Sequence, residues 1–100
     1  MELKKYAMAG TLESSDISIA IQPNDKEEIE IDLDSSVSKQ FGRQTKELLL
    51  SVLKEHNIKS AKIKAVDKGA IDYVIKARLT TAIFRSCESN DYKWEAEIDG

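Results

Sequence analysis

The sequence predicts a small α+β protein: a single sheet of about three to four strands, with two helices packed on one face. Three observations predict it. Residues 16–22 and 28–33 alternate apolar and polar side chains, the period of a half-buried strand. Residues 36–56 change to the spacing of an amphipathic helix. A third alternating run at 61–66 and a second helical stripe complete the order β, β, α, β, α.

Residues 4–9, Lys-Lys-Tyr-Ala-Met-Ala, form a weak first strand, because Ala and Lys fit a pleated sheet poorly. Gly10 then relaxes the backbone. A polar turn follows, Thr11-Leu12-Glu13-Ser14-Ser15-Asp16. Ile17, Ile19 and Ile21 line one face of the next strand. Pro23-Asn24-Asp25-Lys26 is a turn by composition. Beyond it Ile29, Ile31 and Leu33 point one way and Glu28, Glu30 and Asp32 the other. Two alternating runs across a short turn predict an antiparallel hairpin.

In the 36–56 helix, Val37, Phe41, Leu48, Leu49, Val52 and Leu53 make the apolar stripe. Asp34, Ser35 and Ser36 are candidate N-caps, since their oxygens can accept from the first free amides. Gly42 suggests a close approach to a neighbour. Asn57 suits a left-handed stop. Residues 61–66 form a crossover strand, and strand-helix-strand connections of this kind are right-handed. Residues 71–75 alone could begin as strand. Over the longer window Ile71, Val74, Ile75, Leu79, Ala82 and Ile83 fit a helix at 70–86, with Asp67 just ahead of its first turn.

One hundred residues with 41% hydrophobic content make one domain, 1–100, with a polar tail at 89–100 that packs one aromatic or frays. Charged residues are 33% and the net charge is -3, so nucleic acid is not an expected partner. No run approaches the roughly 20 apolar residues that span a bilayer. Residues 1–9 show no secretory signal. Cys87 is the single cysteine, which fits a reducing, cytoplasmic setting. One His and one Cys cannot build a usual zinc site.

The candidate chemistry is sparse. Ser14 and Ser15 are adjacent hydroxyls at the mouth of a strand, where a plain turn is the simpler reading. The one histidine, His56, lies at the far end of the long helix, and nothing brings it to Ser14 as a base. Cys87 reads as a small half-buried side chain. Glu27 with Glu28, or Glu95 with Glu97, could pair as acid and base but read as solvated charges. Arg78 and Arg85 read as solvated, or as facing a phosphate or a partner's carboxylate. No residue set makes a catalytic constellation.

Several segments carry a resemblance. They are Ala9-Gly10-Thr11-Leu12-Glu13-Ser14-Ser15-Asp16, Ile31 to Val37, Lys39-Gln40-Phe41-Gly42, Ala65 to Asp72, and Ala77-Arg78. In this order they resemble the citrate lyase acyl carrier proteins, the gamma subunits of that enzyme. The resemblance weakens over Cys87 to Gly100. It implies a non-catalytic subunit of a lyase complex. Ser14 would be the attachment site, with Ser15 as fallback, of covalent 2'-(5''-phosphoribosyl)-3'-dephospho-CoA. The arm would carry an acetyl or citryl thioester during citrate cleavage to acetate and oxaloacetate. The implied partners are the alpha subunit (acyl transferase), the beta subunit (citryl lyase) and the transferase that installs the arm. No metal and no membrane are implied. Two alternatives stand beside this reading: a non-covalent interaction or regulatory domain, and the related acyl carrier of malonate decarboxylase. The acidic residues Glu13, Asp16, Glu28, Glu30 and Asp32 are expected to steer docking onto basic partner surfaces.

Overall fold

The computed structural model describes residues 2–35 and 39–88. Among these, the elements in chain order are β1 (Ala7–Ala9), β2 (Ile17–Gln22), β3 (Ile29–Ser35), α1 (Lys39–Glu55), β4 (Ala61–Asp67) and α2 (Asp72–Cys87). The predicted class holds: two helices lie against a single open, mixed sheet. The tail at 89–100, Val37 and the proposed cap Ser36 lie outside the described residues.

The sheet order is β1-β2-β4-β3, which corrects the predicted hairpin. β2 pairs antiparallel with β1 and with β4, whereas β3 runs parallel to β4 at the edge. The last strand in the chain therefore inserts between the two that are nearest in sequence. Cross-strand charge favours this arrangement. In the β3–β4 register Glu30 lies opposite Lys62 and Asp32 opposite Lys64. The same lysines face Gln22 and Ala20 across β2, which offers no charge. Opposite charges across a strand pair contribute a few tenths of a kcal/mol each (roughly 0.2–1), and β2 could not have supplied them to β3.

One face of the sheet is apolar. Ile17, Ile19 and Ile21 of β2 and Ala61, Ile63 and Ala65 of β4 are buried there. Leu49, Val52 and Leu53 of α1 and Ile75, Leu79, Ala82 and Ile83 of α2 cover them in one contiguous cluster. Burial of each large aliphatic side chain stabilises by roughly 1.5–3 kcal/mol. The other face, with Met8, Gln22, Lys62 and Lys64, is left open.

The helix ends follow local chemistry. Asn57 adopts φ 57°, as its type suggested. Its N–H donates to the Lys54 carbonyl and that of Ile58 to the Leu53 carbonyl, closing α1 with a Schellman pattern. Other expectations are corrected. Asp34 and Ser35 are strand residues of β3, not caps. Among the described residues Gly42 is not at a close approach: a Cβ there would meet only the Ser35 Cβ, at 4.0 Å. Phe41 and Ile71, assigned to the buried stripes, are 56% and 67% exposed. Phe41 lies in the first turn of α1, and Ile71 just before α2, beyond the end of the sheet.

The register fixes which parts of the chain share an end. Ile17 pairs with Asp67, and Asp67 with Ser35. The entry to β2, the exits of β3 and β4, and the first turns of both helices therefore lie together. The end of α1, with His56 and Asn57, lies at the opposite end.

Candidate functional site

The β1–β2 connection, residues 10–16, is held in place by backbone geometry and by one buried carboxylate. Gly10 has φ +92°, and a Cβ there would stand 1.8 Å from the Ile17 carbonyl oxygen. Only glycine fits. Ser15 takes the left-handed conformation, φ 66°. Its N–H donates to the Lys68 carbonyl at 2.8 Å, while the Lys68 N–H donates to the Asp16 carbonyl at 2.9 Å. The β2–β4 ladder thus runs one step past the strands and pins the turn to the β4–α2 loop. The Asp16 N–H closes the turn onto the Glu13 carbonyl at 3.1 Å.

The Asp16 side chain is buried and fully partnered. Arg78 of α2 binds it through two N–H groups, Nε to Oδ1 at 3.0 Å and Nη2 to Oδ2 at 2.9 Å. The Thr11 hydroxyl donates to Oδ2 at 2.7 Å, and the Ile17 N–H to Oδ1 at 2.7 Å. The Arg78 hydrogen bonds, then those from Thr11 and Ile17, hold the Asp16 carboxyl well below the usual carboxylate range, against the opposing effect of burial. On the neighbouring loop Asp67 Oδ1 accepts from the Gly69 and Ala70 N–H groups, each at 3.0 Å.

Ser14 and Ser15 are both exposed on this turn. Neither hydroxyl has a hydrogen-bond partner among the described residues. The structure leaves two hydroxyls in solvent on a turn tied down on its β2 side by hydrogen bonds at Ser15 and Asp16. Their backbone differs: Ser15 is locked to Lys68, and Ser14 stands one residue further out.

The other candidates fall away from this site. His56 sits at the opposite end of the sheet, its Nδ1 3.0 Å from the Val52 carbonyl and its ring edge-on to Phe84 at 5.9 Å. It cannot serve Ser14 as a base. Burial pushes the Cys87 thiol up, away from the thiolate a nucleophile needs. Glu27 and Glu28 are exposed on the β2–β3 connection, also at the far end; Glu95 and Glu97 lie outside the described residues. No group of three potential metal ligands exists among the described residues. No helix among them is long and apolar enough to cross a membrane.

The arginines were underread from sequence. Arg78 anchors Asp16, and Arg85 Nη1 donates to the Met8 carbonyl at 2.7 Å. Arg78 and Asp16 are 62 residues apart, and no local pattern links them. Of the acids expected to steer docking, Asp16 is paired within the chain by Arg78, whereas Glu13, Glu28, Glu30 and Asp32 are exposed, the last two opposite Lys62 and Lys64 in the strand register.

Comparison with known proteins bears on this arrangement. A family model described as the malonate decarboxylase delta subunit (MdcD) matches residues 4–86. The citrate lyase acyl carrier protein of Fusobacterium nucleatum is 49% identical over 94 residues, which is 94% of this chain and 100% of that protein. That of Latilactobacillus sakei is 52% identical over 95 residues, 95% of this chain and 93% of the relative. That of Streptococcus mutans is 46% identical over 99 residues, 99% and 96%. In fold, the chain is similar to one in the crystal structure of a Pseudomonas malonate decarboxylase hetero-tetramer in complex with malonate. The TM-score is 0.71 at 21% identity, covering 82% of this chain and 84% of that one.

Fold and matched extent together define a class, the acyl carriers, whose members are carrier subunits rather than catalytic ones. Within that class, identity near one half over almost the whole length decides the family. The chain belongs to the citrate lyase acyl carrier proteins. Acyl-carrier identity implies a covalently attached prosthetic group.

Proposed function

We propose that this chain is the acyl-carrier subunit of a citrate lyase and that Ser14 is its attachment residue. The observation that carries the reading is an exposed, unpartnered hydroxyl on a turn fixed by Gly10, the Ser15–Lys68 pairing and the Asp16–Arg78 clamp. A tethering residue needs those properties: the oxygen must be reachable by a modifying enzyme, and its base must not collapse when loaded. The family motif supports Ser14 over Ser15.

The group proposed is 2'-(5''-phosphoribosyl)-3'-dephospho-CoA, joined to Ser14 as a phosphate ester. When bound it supplies a thiol on a long arm, where an acyl group is held as a thioester. The residues present fit such a group, because nothing in the turn encloses the hydroxyl. The chain's own part is to present Ser14 rigidly and to keep the cargo at high effective concentration beside its partners. The partners proposed are the alpha and beta subunits of the lyase and the transferase that installs the arm. The setting proposed is the cytoplasm.

A second reading, the carrier of a malonate decarboxylase, draws on the family model and the fold similarity. Relatives at 46–52% identity favour citrate. The test is intact mass after incubation with the transferase. A gain of one phosphoribosyl-dephospho-CoA, mapped to residues 12–16 and absent in Ser14→Ala, is the expected result. No gain, with the transferase active on a control carrier, returns the chain to a non-covalent interaction domain.

A further inference from the structure

The apolar face of the sheet is covered unevenly. Ile17, Ile19 and Ile21 of β2 are fully buried, whereas Ile29, Ile31 and Leu33, the matching row on the edge strand β3, are only half-buried. At Ile29 the surface dips into a groove of about 470 Å³, at the end of the sheet away from Ser14. Its apolar lining is Ile29 of β3, Leu50 of α1, which is 41% exposed, and Ile58 just past α1. Lys54 and Lys59 line it as exposed cations, and no acid among the described residues does.

An exposed apolar groove marks an interaction site, and two lysines on its lining favour an occupant that is apolar on one side and acidic on the other. The chain carries such a segment. Beyond Glu88, Tyr92, Trp94, Ala96 and Ile98 alternate with Lys93, Glu95, Glu97 and Asp99, so an extended backbone puts the four apolar side chains on one face. With Asp91 the segment has four acids against one lysine. It also starts from the right place. The Phe84 ring of α2 meets the His56 ring edge-on, with centroids 5.9 Å apart, and Asn57 and Ile58 of the groove follow His56 directly. Glu88 lies about one helical turn, roughly 6 Å, beyond Phe84. From Glu88 an extended chain carries Trp94 up to about 20 Å.

We infer that the groove between α1 and β3 is the seat of the chain's own C-terminal segment, with Trp94 packed against Ile29, Leu50 and Ile58 and the neighbouring acids beside Lys54 and Lys59. A segment joined to the same chain is held near the groove at high effective concentration, ahead of a free partner. The apolar contact carries most of the pairing, because exposed ion pairs contribute little. The inference does not rest on the carrier reading or on Ser14.

The test uses the full chain and its single tryptophan. In wild type, Trp94 emission is expected well to the blue of the urea-unfolded chain, with acrylamide quenching several-fold weaker. Leu50→Glu puts an acid into the groove, and Lys54→Glu/Lys59→Glu reverses its charge. All three positions are exposed, so both variants are expected to keep the wild-type far-ultraviolet circular dichroism. Each is expected to move emission and quenching towards those of the unfolded chain. Ile71→Ser, exposed at the opposite end of the sheet, is the control and is expected to leave both unchanged. Hydrogen exchange gives a second reading: Trp94→Ser is expected to speed exchange at residues 28–31 and 54–59. Wild-type emission already at the unfolded position overturns the inference. So does a shielded Trp94 that neither groove variant moves, because the tail then packs elsewhere. A blue shift lost on dilution, together with a doubled mass in solution, assigns the groove to the tail of a second copy and also overturns it.

Discussion

Gly10 and Asp16 bracket the candidate site, and each has a separable physical role. A Cβ at residue 10 would overlap the Ile17 carbonyl at 1.8 Å, and the φ of +92° disfavours any side chain. Gly10→Ala is expected to lose roughly 2–4 kcal/mol, read as a lower denaturation midpoint with unchanged m-value. Asp16 is a pH-dependent clamp. Its folded-state value is depressed, so its contribution is complete above the unfolded value near 3.9 and is lost as pH falls from there towards the folded value. Thermal melts of wild type and Asp16→Asn should therefore differ fully at pH 6, and the gap should begin to narrow only below about pH 4, shrinking as the pH falls towards the folded value; a gap that stays constant with pH would contradict the clamp. Ser14 stands apart from both. Its hydroxyl has no partner, so Ser14→Ala is expected to melt within about 0.5 kcal/mol of wild type while failing to take up the arm by mass. A stability loss comparable to Gly10→Ala would point to a structural serine instead.

At the scale of elements, α1 is set by its C-terminal half. Leu49, Val52 and Leu53 are buried and the Asn57 stop is well formed, whereas its first turn carries exposed Phe41 and uncrowded Gly42. Helical glycine costs about 1 kcal/mol against Ala, and no close neighbour among the described residues repays it. Gly42→Ala is expected to raise stability by about 0.5–1 kcal/mol, measured by urea unfolding. A loss would mean that an added methyl group at residue 42 clashes within the chain. The edge strand β3 is protected differently: exposed Glu30 and Asp32, opposite Lys62 and Lys64 in the register, place charge on the edge and discourage pairing with another strand.

The whole molecule separates its two ends. At one, three chain segments meet around Ser14. At the other, the N-terminal residues are tied to the end of α2: the Lys4 and Lys5 N–H groups donate to the Ser86 carbonyl at 2.9 and 3.2 Å, and the Ser86 hydroxyl donates to the Lys5 carbonyl. Leu3 is buried beside them. Deleting residues 1–5 is expected to cost about 2–4 kcal/mol, while the loading rate below the melting temperature stays unchanged. Equal loss of loading would show that the ends are coupled.

The sequence by itself determined most of what depends on local period and residue type. Alternation at 16–22 and 61–66, the buried face of α2 from Ile75 to Ile83, the Asn57 stop and the exposed Ser14 turn were all legible, because strand pleat, helix pitch and turn chemistry act over a few residues. The family was legible from motifs spread along the chain. Tertiary structure decided the rest. The strand β4 inserts between β2 and β3 because of charges and a crossover that only the complete sheet brings together. Phe41 and Ile71 fit helical stripes, yet the sheet ends before it can cover them. Asp16 and Arg78 are anonymous charges in the sequence, and only the packing of α2 brings one onto the other, across 62 residues, to fix the turn on which Ser14 stands.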